Sequence, residues 1–197
     1  MNFLAHAYLS FNHPGILVGN MISDFVKGKK KYDYPEAVQK GIHLHRQIDT
    51  YTDAHEATKE AKQFLKPAAG LYAGAFIDVV YDHFLANDAN EFSEASLQQH
   101  ASSTYEVLQD NYHLLPEKFQ GMLPYMKSQN WLFNYRTLDG TKSSFGGLVR
   151  RAAYLSSSAE VYALFLQHYQ QLQKCYNDFF PSVKAFAIHQ IGELKNS

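Results

Sequence analysis

Apolar residues recur along this chain at three- and four-residue intervals, a pattern that outlines helices, and no stretch alternates as a strand would. Ile16, Leu17, Met21, Ile22 and Phe25 form one such run after Pro14, and a Gly28–Lys31 loop comes next. From Pro35, the set Val38, Ile42, Leu44, Ile48 and Tyr51 keeps helical spacing for about five turns. Residues 56–65 predict a further helix, and Leu71 to Leu85 a strongly apolar one with aspartates embedded in it. Later helices are expected near 93–112, 116–128, 145–155 and 158–190, the last broken or kinked at Pro181. Pro14, Pro35, Pro116 and Pro181 each precede an apolar run, where a helix start tolerates proline. The expected class is all-α, a single-domain helical bundle over residues 1–197.

Composition narrows the field. A chain of 197 residues, 46% hydrophobic, suits one core. A formal charge of −1 leaves no global field to draw in nucleic acid or an anionic membrane, so neither is an expected partner. No run approaches the roughly 20 apolar residues of a membrane span, and the first residues lack a signal-type basic and apolar pattern. The single cysteine, Cys175, has no internal disulfide partner and reads as a small buried hydrophobe. A cytoplasmic location is the expectation. Oligomeric state stays open.

The candidate chemistry crowds into the first 83 residues, which hold His6, His13, His43, His45, His55 and His83 and also Asp24, Asp33, Asp49, Asp53, Asp78 and Asp82. His45 and Asp49 stand four apart on one helix, so they share a face. Asp78 and Asp82 repeat that step on the Leu71–Leu85 helix, with His83 beside them. Two helices that each present an i, i+4 pair of nitrogen and oxygen ligands suit a metal held inside a bundle. The imidazole–carboxylate mixture favours Mn²⁺, Fe²⁺ or Mg²⁺. Asp78 and Asp82 are the sharper signal, because ionised carboxylates in an apolar helix need a counter-charge, and a metal or Arg46 would serve. Alone, His45/Asp49 reads equally as an exposed helix pair, and His6 as a satisfied core histidine. Asp24, a lone carboxylate among apolar neighbours, leans functional.

Four blocks occur in order: Met1-Asn-Phe-Leu-Ala-His6, Gly19-Asn20 with Asp24 to Gly28, Gly41 to Asp53, and Asp78 with Asp82 to Leu85. Together with Trp131 to Tyr135 and Gly147 to Arg151, they resemble the bacterial acyl carrier protein phosphodiesterases. The resemblance implies cleavage of the phosphodiester joining 4′-phosphopantetheine to a serine of holo-acyl carrier protein. It also implies a divalent cation, Mn²⁺ favoured, and a distorted relative of the HD-domain phosphohydrolases. This chain departs from the HD pattern, since it holds only Asp82-His83 in reverse order.

Spacing and resemblance together nominate Asp24, His45, Asp49, Asp78, Asp82 and His83 as a pool of metal ligands. A metal there would activate water for in-line attack on phosphorus. Arg46 or Lys27 would steady the phosphoryl oxygens, and His6 would protonate the leaving serine oxygen. The basic run Lys29, Lys30 and Lys31, with Arg150 and Arg151 as a second basic point, would meet an acidic carrier surface. Two other readings are a metal-dependent hydrolase of small phosphoesters and a non-catalytic helical module that binds the carrier.

Overall fold

The computed structural model describes residues 1–196, and among these there are eleven α-helices and no strand. The helices are α1 (Phe3–Tyr8), α2 (Pro14–Ile22), α3 (Glu36–Ala54), α4 (Glu56–Ala69), α5 (Ala73–Ala86), α6 (Glu94–Asp110), α7 (Glu117–Ser128), α8 (Trp131–Asn134), α9 (Leu138–Val149), α10 (Ala159–Gln167) and α11 (Tyr169–Asn196). The all-α expectation holds. Among the described residues, no helix is long and apolar enough to cross a membrane.

Helix α5 is the central element. Phe76, Ile77, Val79, Val80, Tyr81, Phe84 and Leu85 are all buried on it, each contributing about 1.5–3 kcal/mol of transfer free energy. It packs against α1, α4, α9 and α11. The tightest pairing lies beside it, between α2 and α3. A Cβ on Gly19 would lie 2.0 Å from the Val38 carbonyl oxygen, and one on Gly41 2.2 Å from that of Ile16. Only bare glycine lets these two backbones approach so closely. The close approach brings two polar residues together, because Asn20 adjoins Gly19 and His45 lies one turn beyond Gly41.

Several boundaries differ from the expectation. Residues 28–33 form a 3-10 helix in place of a loop. The helix expected at 145–155 is α9, which starts at Leu138, where the Thr137 side chain accepts a hydrogen bond from the Gly140 amide, and ends at Val149. Pro181 neither breaks nor ends its helix. It sits inside α11 between buried Phe180 and Val183, whose packing holds the helix through the missing hydrogen bond. The interruption falls earlier, at His168. Cys175 is buried, as expected of a small hydrophobe.

Candidate metal centre

Two helices and one short turn converge on a histidine–carboxylate cluster at the surface edge of the core. Helix α1 supplies His6, α3 supplies His45 and Asp49, and the turn after α2 supplies Asp24. His6 Nε2 lies 3.2 Å from Asp49 Oδ1, and His45 Nε2 lies 3.1 Å from Asp49 Oδ2 and 3.2 Å from Asp24 Oδ1. The two imidazoles stack with centroids 3.8 Å apart. Both histidines are buried, whereas Asp49 is half-exposed and the Asp24 side chain reaches solvent.

Asn20 determines which ring nitrogens face the carboxylates. His6 Nδ1 is 2.8 Å from the Asn20 side-chain oxygen, and His45 Nδ1 is 2.7 Å from the Asn20 backbone oxygen. Both partners accept, so both Nδ1 atoms carry the proton. The Asn20 amide nitrogen also donates to the His6 backbone oxygen (2.8 Å) and to Ser10 Oγ (3.0 Å), which pins α1 against α2. In its neutral form each imidazole then turns its Nε2 lone pair toward Asp49. His6 Nε2 is buried and makes no hydrogen bond, although a carboxylate oxygen stands 3.2 Å away. Lone pair facing lone pair at that distance is repulsive unless a cation lies between.

Those distances fit a cation. His6, His45 and Asp49 each offer a ligand atom, all within 4.8 Å of one another. Adjacent positions on an octahedral ion with bonds of about 2.1 Å are about 3.0 Å apart. The nitrogen–carboxylate donor set suits Mn²⁺, Fe²⁺ or Zn²⁺. Oxygen partners on the far ring nitrogens are the support that metal-binding imidazoles usually have.

With protons alone in the cluster, the charges polarise. Burial, then the His45 charge, lowers the His6 pKa to about 4. Burial also opposes the charge on His45, but the Asp24 and Asp49 carboxylates outweigh it and hold that pKa at about 9. Burial pushes Asp49 upward, yet His45 and His6 overcome it and hold the carboxyl far below the usual range. Asp24 is lowered chiefly by its hydrogen bond to His45.

The α5 carboxylates serve another purpose. Asp82, fully buried, accepts hydrogen bonds from the backbone amides of Asn2 (3.2 Å), Leu4 (2.7 Å) and Ala5 (3.3 Å). It therefore caps the N-terminus of α1, the helix that presents His6. Burial raises its pKa to about 7 against the pull of the Met1 amine and those amides. Asp78 accepts from the Met1 α-amino group at 2.8 Å, and the same amine lies 3.7 Å from Asp49. Burial lowers the pKa of that amine, but Asp78 and Asp49 outweigh it and hold it at about 10. Asp78 thus adjoins the cluster through an ammonium, outside the donor set.

His83 is turned away altogether. Its Nδ1 meets the Tyr135 backbone oxygen (2.7 Å) and its Nε2 the Tyr169 hydroxyl (2.8 Å), so both ring nitrogens are taken. Arg46 donates to the Val26 backbone oxygen at 2.9 Å and ties the turn carrying Asp24 to α3. Lys27, Lys29 and Lys30 are exposed on the segment after Asp24, and Lys31 stacks over Tyr32. Arg150 and Arg151 are exposed at a cavity beyond Asn2. Sequence reasoning missed Asn20 and the Met1 amine. The signal for Asn20 was its place after Gly19, a glycine with a packing partner in Gly41.

Fold and site together define an all-α protein with a two-histidine, carboxylate-bearing cluster that could hold a cation. The family model described as acyl carrier protein phosphodiesterase matches residues 1–183, and the chain belongs to that family. A protein of that name from Escherichia coli O139:H28 is 30% identical over 191 residues, covering 96% of this chain and 99% of the relative. One from Yersinia pestis is 31% identical over 194 residues, with the same coverage. No solved structure matches.

Proposed function

We propose that this protein is a divalent-cation-dependent phosphodiesterase that releases 4′-phosphopantetheine from holo-acyl carrier protein in the cytoplasm, leaving the apo-carrier. The observation that carries the proposal is the paired Nε2 atoms of His6 and His45 turned toward Asp49, set by Asn20. The names of the relatives supply the substrate class. Mn²⁺ is the favoured ion, with Mg²⁺ or Fe²⁺ as alternatives. The bound ion supplies Lewis-acid polarisation of the phosphoryl group and lowers the pKa of a coordinated water.

The chain's own residues do the rest. His6, His45 and Asp49 hold the ion. His6 acts as a ligand in place of the proton donor that the sequence suggests, because its Nδ1 proton is committed to Asn20 and its Nε2 faces Asp49. Asp24, with Oδ1 3.2 Å from His45 Nε2, stands on the open side and orients the attacking water or completes the donor set. Asp82 holds α1 in register, and Asp78 does so through the Met1 amine. Lys27 and Arg46 flank the exposed edge, where charge-assisted hydrogen bonds to phosphoryl oxygens are worth about 1.5–3 kcal/mol each. Lys29, Lys30 and Lys31 extend that positive edge toward an acidic partner. Arg150 and Arg151 add positive charge on the other side of Asn2.

Mass spectrometry of holo-acyl carrier protein incubated with the protein tests the reading. Loss of the phosphopantetheine mass with Mn²⁺, and none with chelator, is expected. An unchanged carrier in both incubations overturns the assigned substrate.

A further inference from the structure

The cation cluster has a second neighbour that hydrolysis at the metal does not itself require. A cavity of about 540 Å³ opens beside Asn2 and Phe3 and runs between α7, α8 and α9. That volume lies within the range of small-molecule sites. Two connections join it to the cluster. Asn2 adjoins Met1, about 3.8 Å along the backbone, and the Met1 amine stands 3.7 Å from Asp49. An aromatic strip also leads there: Phe25, next to Asp24, meets the Phe119 ring at 5.4 Å, and Phe119 meets Phe3 at 6.3 Å.

The lining has a distinct chemistry. Along α9, Ser143, Ser144 and Gly147 share one helix face of small residues at the cavity, while Gly140 lets the helix approach the Asn134 carbonyl oxygen, which a Cβ would meet at 2.0 Å. Opposite stand apolar surface from Phe3 and Trp131 and neutral amides from Gln129 and Asn134. Apolar surface interleaved with uncharged donors and acceptors matches a flexible chain of alkyl segments and amide groups. The charged residues of the lining, Asp139, Arg150 and Arg151, are all exposed.

We propose that this cavity seats the pantetheine arm of the substrate, while the carrier protein itself lies over the Lys27–Lys31 edge. The inference rests on the phosphodiesterase reading of the cation cluster. Asn2 and the Met1 amine link the cavity to the cluster, and the basic segment follows Asp24 directly, so each substituent of a phosphate held at the cluster would have a neighbour. Enclosing the arm makes an unmodified carrier a poor competitor, since it lacks the group that fills the cavity.

Trp131 is the sole tryptophan of the chain and lines the cavity, so its fluorescence reports occupancy. The test titrates the full-length protein with pantetheine, which has no phosphate to engage the cation cluster. Cysteamine, which carries the thiol without the amides, is the control. Saturable change with pantetheine and none with cysteamine is expected. Gly147→Leu is expected to weaken pantetheine at least tenfold and to raise the KM for holo-carrier in proportion. A Cβ there meets nothing closer than the Arg150 guanidinium at 3.6 Å, so the helix accepts the side chain. Ser143→Leu, at an exposed helical position, is a second variant with the same expected effect. Absence of pantetheine binding, or equal binding by wild type and both variants, overturns the proposal even if holo-carrier is cleaved. Pantetheine binding lost in both variants supports the cavity as an arm site even if holo-carrier survives intact, a result that would instead sink the phosphodiesterase reading.

Discussion

Helices α3 and α5 each carry two potential ligands one turn apart, and the protein uses them in opposite ways. On α3, His45 and Asp49 join His6, with both Nε2 atoms turned to a half-exposed carboxylate. On α5, Asp82 is consumed by three backbone amides of α1 and Asp78 by an ammonium. The difference lies in what each pair faces. Asp82 is sealed in the core and needs its partners permanently, so it meets fixed backbone donors. Asp49 lies at the edge, where an exchangeable cation can reach it. A carboxylate buried in an apolar helix therefore signals an obligate partner, and that partner can be a helix N-terminus as readily as a metal.

Variants separate the two roles. Asp49→Ala should lower holo-carrier cleavage more than about a hundredfold, since even outer partners of ligands are worth 10- to 100-fold, while chemical denaturation shows a smaller loss of metal-free stability than Asp82→Ala, from its ion pairs with His45 and the Met1 amine. Asp82→Ala should do the reverse in character. It strands three amide donors and should cost roughly 3 kcal/mol of unfolding free energy in urea. Equal stability of wild type and Asp82→Ala would mean that the capping account is wrong. Asn20→Ala removes the oxygen that orients His6 and should weaken Mn²⁺ by about 10- to 100-fold in calorimetric titration. Replacing Lys29, Lys30 and Lys31 together by Glu should raise the KM for holo-carrier by about tenfold or more, with less effect on a small phosphodiester such as bis(p-nitrophenyl) phosphate.

The smallest expected effect concerns pH and His83. Burial lowers its pKa, against the hydrogen bond to the Tyr135 oxygen that raises it. The folded protein thus keeps His83 neutral, and as pH falls the unfolded chain takes up the proton first. Stability from this residue is present at neutral pH and is lost as pH drops through the ordinary histidine value of about 6.5. Denaturant midpoints measured from pH 7 to 5 should fall for wild type and fall less steeply for His83→Gln. Identical slopes would remove His83 from the account.

Much of this was legible in the sequence. The spacing of Val38, Ile42, Ile48 and Tyr51 marked α3, and the step from His45 to Asp49 marked the face that meets His6. The apolar run to Leu85 marked α5 as buried. What spacing could not give was the identity of partners distant in sequence, because Asp82 meets amides 80 positions away. Helix α1 was too short for periodicity to reveal, and without it neither the cap on Asp82 nor the place of His6 beside His45 and Asp49 could be found. The late boundaries failed for a local reason. Prolines mark helix starts only when nothing outweighs them, and the buried aromatics Phe179 and Phe180 carry α11 on past Pro181 without a break.

The most direct measurement is the electron paramagnetic resonance of Mn²⁺ titrated into wild type, Asp49→Asn and Asp82→Asn proteins, each first shown to be folded. The account predicts a tight site in wild type that Asp49→Asn loses and Asp82→Asn keeps. Loss of the site in Asp82→Asn with retention in Asp49→Asn would move the metal to α5 and contradict it.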